Sequence, residues 1–286
     1  MLSERGVTVE RQGSVFKVSI EGGGGGGGGG GARGVVCGMS RASRRRLIDL
    51  CQRLEPVPVR QGAPWCGSRI DLTYPGDECE LPRVSETKAH YRAFTERMRR
   101  RWPHVSAVAR LEFGGKGGRQ YNPHWHFAAF GMPYIDVEDL RAWWRDVIQS
   151  AEPPRVGIGA IRYHRELLAY VSKYVAKEGG ELTVCRYPHA TVDTATGEVT
   201  GVDGELVQPD GRIATGRVWR VHNRKCLPLA EKSVDVVAFG DWIHDVRRAA
   251  RHRWPHVGER WWCGFTLYTD TPERWWQLVE YHRNGG

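Results

Sequence analysis

The sequence predicts an α+β domain: a mainly antiparallel central sheet with helices on one face, the other face left for a site, and a C-terminal extension. Two observations predict it. Between Arg69 and Lys177 the apolar period alternates between that of a strand and that of a helix, in the order β-α-β-β-α-β-α. Turn residues stand where the period changes, at Pro75-Gly76, Pro103 and Gly131-Met-Pro133.

Taken in order, residues 22–31 are ten consecutive glycines. Such a run has the highest backbone entropy and nothing to bury, so residues 1–32 are expected to be a disordered tail. Residues 33–64 read as a basic linker with a short arginine-faced helix at Arg41–Leu50. The folded domain is expected over 65–178. Arg69–Tyr74 alternates as a strand. Ser85–Trp102 repeats Tyr91, Phe94 and Met98 on one helical face, with Ser85 as its cap and Pro103 as its stop. Val105–Phe113 and His124–Phe130 are strands of one long hairpin. Asp136 caps a helix running to about Ser150, Val156–Tyr163 is a strand, and Glu166–Ala176 a helix. Residues 179–286 form an extension packed on this domain: a hairpin or insertion over Thr191–Gly211, a strand within Val218–Pro228, a helix over Asp235–Arg251, a strand at Phe265–Tyr268 and a last helix from Pro272.

Composition narrows the function. Lys+Arg 42 against Asp+Glu 33 gives a net charge of +9, and only seven of the cations are lysine. That balance fits a polyanionic partner, nucleic acid first, or an arginine-rich composition with no such partner. No apolar run approaches the ~18 residues of a membrane span, and the N-terminus has no apolar core of the signal-peptide kind. Seven scattered cysteines without a Cys-x-x-Cys pair point to reduced thiols and a cytoplasmic location. Gly114-Gly-Lys-Gly-Gly118 has neither the spacing nor the hydroxyl of a phosphate-binding P-loop.

The chemistry concentrates in two places. In Asn122-Pro123-His124-Trp125-His126-Phe127-Ala128, a strand puts His124 and His126 on one face and Trp125 on the other, so two imidazoles can converge on one cation. The hairpin brings Glu112 beside them as a third ligand, leaving positions open for water or a phosphate oxygen. The alternatives are ordinary histidines and a Glu112 paired with Lys116 or Arg119. Imidazoles lean towards Mn²⁺ or Zn²⁺ over Mg²⁺. In the helix at Tyr170-Val-Ser-Lys173-Tyr174-Val-Ala-Lys177, Tyr170 and Tyr174 lie one turn apart with Lys173 beside them. They are candidate nucleophiles, since a cation or metal nearby would favour the phenolate; the alternative is tyrosines packing their rings with hydroxyls outward.

The histidine strand followed by the Tyr-x-x-Lys-Tyr helix resembles the HUH endonuclease superfamily, specifically the two-tyrosine rolling-circle replication initiators of plasmids and single-stranded DNA phages. The resemblance covers Arg69–Lys177. It includes a first motif at Ile70-Asp71-Leu72-Thr73-Tyr74, where Asp71 replaces a small or apolar residue. It implies the HUH, ferredoxin-like nuclease fold and metal-dependent, site-specific nicking and joining of single-stranded DNA. His124, His126 and Glu112 would hold Mg²⁺ or Mn²⁺. Tyr170, with Tyr174 as second nucleophile, would form a 5′-phosphotyrosine link, and Lys173 would orient a phosphate or lower the phenol's pKa. Lys116, Arg119 and Lys177 would contact the DNA backbone. The partners implied are melted origin DNA and a host helicase, polymerase and single-strand-binding protein. A transposase or relaxase shares the chemistry, and a non-catalytic DNA-binding replication regulator shares the fold.

Overall fold

The chain is described by a computed structural model over residues 6–20, 36–55, 66–114, 121–133 and 135–175, and beyond these over 182–183, 186–192, 195, 199–202, 207, 211–238, 243, 245, 248, 264–268 and 272–283. It divides into two compact units, one of residues 34–48 and 56–228, the other of residues 1–33, 49–55 and 229–286.

The first unit is built on a five-stranded antiparallel sheet. Its strands are β3 (Gly67–Thr73), β4 (Ser106–Glu112), β5 (His124–Phe130), β6 (Val156–Ile161) and β9 (Trp219–His222), in spatial order β6-β3-β5-β4-β9. The helices between them are α2 (Val84–Arg101), α3 (Val137–Ile148) and α4 (His164–Val175), so the order β-α-β-β-α-β-α is as expected. One face of the sheet is apolar. Ile70 and Leu72, Ala107, Ala109 and Leu111, Trp125 and Phe127 pack there against Tyr91, Phe94 and Met98 of α2 and Leu140 and Trp144 of α3. The Tyr91 and Trp125 ring centroids are 4.4 Å apart, and Phe94 and Phe127 5.6 Å. Both buried indoles are satisfied: Trp125 Nε1 donates to the Thr87 carbonyl at 3.2 Å and Trp144 Nε1 to the Thr73 carbonyl at 2.6 Å.

The helix ends follow local chemistry. Asp136 caps α3 by accepting from the Glu138 amide at 2.8 Å, as its position predicts. In α2 the cap differs: Arg83 holds the N-cap position, its amide donating to the Glu86 carboxylate at 2.7 Å, and Ser85 sits in the first turn.

The second face is not left open. Only Arg162 and Tyr163 separate β6 from α4, and α2 and α3 already fill the apolar side, so α4 folds back over the polar side. There Tyr170 and Val171, with Leu47 from the first half of α1 (Arg41–Gln52), lie against Val108, Arg110, His126 and Ala128. Two short strands, β7 (Ala190–Val192) and β8 (Val199–Val202), pair with each other within the expected insertion.

The second unit holds β1 (Gly6–Gln12), β2 (Val15–Ile20), β10 (Lys232–Ala238) and β11 (Gly264–Tyr268) in one antiparallel sheet, order β10-β1-β2-β11, with α5 (Pro272–Arg283). Residues 6–20 are therefore a strand hairpin, not tail. Val7, Val9, Phe16 and Val18 are fully or almost fully buried, and Phe16 packs on Trp275 with centroids 6.2 Å apart. A lone hairpin could not bury that face; its partners come from the far end of the sequence. Residues 235–238, expected as the start of the helix over Asp235–Arg251, belong instead to β10 and pair with β1, Val9 opposite Asp235. The glycine run lies outside the described residues. Glu10, half-buried, is gripped by Arg53 and by Lys232 at 3.2 Å.

Candidate active site

Strand pairing assembles the site. In the β4–β5 hairpin Glu112 lies opposite His124 and Arg110 opposite His126; across the β3–β5 pair Thr73 lies opposite His124 and Asp71 opposite His126. Paired residues share a face, so Asp71, Thr73, Arg110, Glu112, His124 and His126 all project from the polar side. Burial along β5 alternates accordingly, His124 and His126 half-buried and Trp125 and Phe127 buried.

Glu112, His124 and His126 each offer a ligand atom, and the three atoms lie within 4.8 Å of one another. Glu112 Oε2 is 3.6 Å from His124 Nε2 and 3.7 Å from His126 Nε2. A cation bonded to three such donors at about 2.1 Å needs them about 3–3.5 Å apart, so a small contraction would close the set on an ion. The tautomers also fit. His124 Nδ1 is 2.7 Å from the Asn122 carbonyl, which can only accept, so Nδ1 carries the proton and Nε2 the free lone pair. His126 Nδ1 bonds to Asp71 Oδ1 in the same sense. Two imidazoles and a carboxylate suit a divalent cation such as Mn²⁺, Mg²⁺ or Zn²⁺.

Asp71 connects this cluster to the tyrosine helix. Its Oδ1, already bonded to His126, accepts from the Tyr170 hydroxyl at 3.0 Å, and the rings of His126 and Tyr170 are 6.4 Å apart. Burial alone would push the Asp71 carboxyl up and the His126 imidazole down. The bond between them outweighs it, so Asp71 is held below its ordinary value, helped by Tyr170 and Arg69, and His126 above its own, helped by Glu112. A glycine in the edge strand makes room for Arg69: a Cβ on Gly159 would sit 2.4 Å from Arg69 Nε, whereas one on Gly157 would meet Asp71 Oδ2 at an ordinary 3.5 Å. Arg110, buried on β4, has its guanidinium 3.6 Å from Glu112 Oε1.

The structure thus brings His124, His126, Glu112 and Tyr170 together. Lys173 and Tyr174 lie in the α4 backbone, but their side chains fall outside the described residues, as do Lys116, Arg119 and Lys177 entirely. Sequence reasoning gave no role to Asp71 or Arg110. The signal for Asp71 was a lone carboxylate between the apolar Ile70 and Leu72 of the strand. The adjacent tryptophans split as amphipathic packing demands: Trp144 is buried while Trp143 lies half-exposed beside Trp102 and Arg97, and Trp275 is buried while Trp276 is half-exposed. Trp261 and Trp262 are outside the described residues.

Residues 69–179, from β3 to just beyond α4, match the family model of the replication-associated protein ORF2/gene-2 protein. No curated protein and no solved structure matches the chain. No helix among the described residues is long and apolar enough to cross a membrane.

Proposed function

We propose that the chain initiates rolling-circle replication by nicking and rejoining one strand of an origin through a tyrosine–DNA intermediate. The observation that carries this reading is the Tyr170–Asp71–His126 connection. The hydroxyl expected to attack phosphorus shares one carboxylate oxygen with a histidine of the candidate metal set, inside the stretch that matches the replication-associated family.

His124 Nε2, His126 Nε2 and Glu112 Oε2 would hold a divalent cation, Mg²⁺ or Mn²⁺, which supplies polarisation of the scissile phosphate and neutralises charge developing on it. Asp71 orients His126 through Nδ1 and holds the Tyr170 hydroxyl at the same carboxylate oxygen. The phenolic proton already points at Asp71 Oδ1, so it has an acceptor as Oη bonds to phosphorus and the 3′ oxygen leaves with its electron pair. The product is a 5′-phosphotyrosine and a free 3′-OH that can prime synthesis. Attack by a 3′-OH on that link reverses the step and joins strands. Tyr174, one turn along α4, would serve as the second nucleophile, with Lys173 beside them at the phosphate. Lys116, Arg119 and Lys177 would hold the backbone, and host proteins would unwind, coat and copy the template.

The test is incubation with Mn²⁺ and single-stranded fragments of the replicon that encodes the chain, scored for a covalent protein–DNA adduct. The adduct should form, should vanish in the Tyr170→Phe, Tyr174→Phe double variant, and should vanish in His124→Ala while salt-sensitive DNA binding persists. An adduct that survives loss of both tyrosines refutes the assignment.

A further inference from the structure

Next to the histidine–glutamate cluster the chain leaves β3 at Thr73, enters β5 at His124 and enters β6 at Val156. The segments flanking these points line a cleft of about 440 Å³, with Thr73, Tyr74, Asn122, Glu152, Pro153 and Arg155 in its wall. That volume is in the range of small-ligand sites. Two of its wall residues adjoin His124: Thr73 is the register partner of His124, and the Asn122 carbonyl accepts from His124 Nδ1. A strand whose phosphate sat at His124 would have this cleft beside it.

The walls are fixed before any ligand arrives. Thr73 is pinned on both sides, its amide and hydroxyl donating to the Arg155 carbonyl at 3.1 and 2.6 Å and its own carbonyl accepting from Trp144 Nε1. Tyr74 is almost completely buried and packs on Trp144, giving a firm apolar base. The rim has polar groups to spare. Among the described residues the exposed Glu152 carboxylate and Arg155 guanidinium make no ion pair, and the Asn122 side-chain amide makes no hydrogen bond.

We propose that this cleft reads the base beside the scissile phosphodiester. The inference rests on the nicking reading above and names the part of that site that selects sequence. Unstacked bases are read on their Watson–Crick edges, and a carboxylate only accepts. Glu152 thus favours an edge with adjacent donors. Guanine, with N1–H and N2–H₂ side by side, fits first. Thymine fits last, because its single N3–H is flanked by two carbonyl oxygens that would face the carboxylate. Asn122 adds a donor and an acceptor at the same rim, and Arg155 takes the backbone phosphate, which positions the strand and carries no sequence information.

The experiment selects a randomised single-stranded DNA pool on the full chain with Mn²⁺, sequencing both the bound fraction and any covalent adduct. The expected result is guanine enriched over thymine at one position by roughly tenfold, the size of a good base contact. Glu152→Gln should flatten that position alone. Arg155→Ala should weaken binding to all sequences alike and lower the slope of log affinity against log salt by about 0.7. Flat enrichment at every position, an unchanged profile in Glu152→Gln, or no retention of the pool overturns the subsite. Guanine selection without any adduct keeps the subsite and sinks the nicking reading; an adduct with flat selection does the reverse.

Discussion

Replacing Asp71 by asparagine tests the central connection of the site. The substitution keeps size and an acceptor oxygen but removes the charge that His126 Nδ1 and Tyr170 both bond. A carboxylate behind a metal-bound histidine is worth about 10- to 100-fold in metal affinity, and a hydrogen bond to a charged group about 1.5–3 kcal/mol. The Asp71 side chain is 40% exposed, so water softens the loss and the lower end applies. Mn²⁺ affinity measured by calorimetry at neutral pH should fall about tenfold, or about 1.4 kcal/mol. Tyr170→Phe should leave Mn²⁺ affinity within about twofold, because it removes a partner of Asp71 and not of the cation. In Asp71→Asn, cleavage should stay slow at saturating Mn²⁺, since the Tyr170 hydroxyl has lost its charged partner. Native Mn²⁺ affinity in Asp71→Asn would show that Asp71 does not act through His126.

Three further outcomes follow from the packing and charge. Trp125→Ala removes the ring that locks β5 onto α2 and should cost about 3–5 kcal/mol in urea unfolding. Burial alone would raise the Glu10 carboxyl, yet Arg53 and Lys232 hold it below its usual range. Its contribution is therefore present above the unfolded value near 4.5 and lost as pH falls through the depressed folded value; Glu10→Gln should flatten that acid limb in denaturation curves. Burial pushes the Cys51 thiol up to about 12, while Cys226 is half-exposed, so among the described cysteines maleimide should modify Cys226 before the buried Cys37, Cys51 and Cys66, and Cys51 only on unfolding, read by peptide mass spectrometry.

The legible parts of the molecule were those with local grammar. His124 and His126 share a face because strands alternate, and Glu112 joins them because a hairpin folds β4 back on β5. Asp71 carries no such signal. Its partner His126 is 55 residues away, on a strand that pairs with β3 across the intervening α2 and β4. The same reason hid the N-terminal strands. Gln12 donates to the carbonyl of Ala230, 218 residues along the chain, and a glycine run standing between such partners reads as a tail. The return of α4 was hidden because a helix pattern gives a buried face but not which side of a sheet it will cover.

The pairing of β4 with β5 has a consequence for how this site can vary. Core and ligands alternate along β5, so losing one residue inside that strand would turn the imidazoles towards α2 and carry Trp125 and Phe127 to the polar side. Residues added between the strands change neither face. A change of length between the two strands therefore leaves the core face and the ligand face in register, whereas the interior of His124–Phe130 admits exchange of side chains but no change of length.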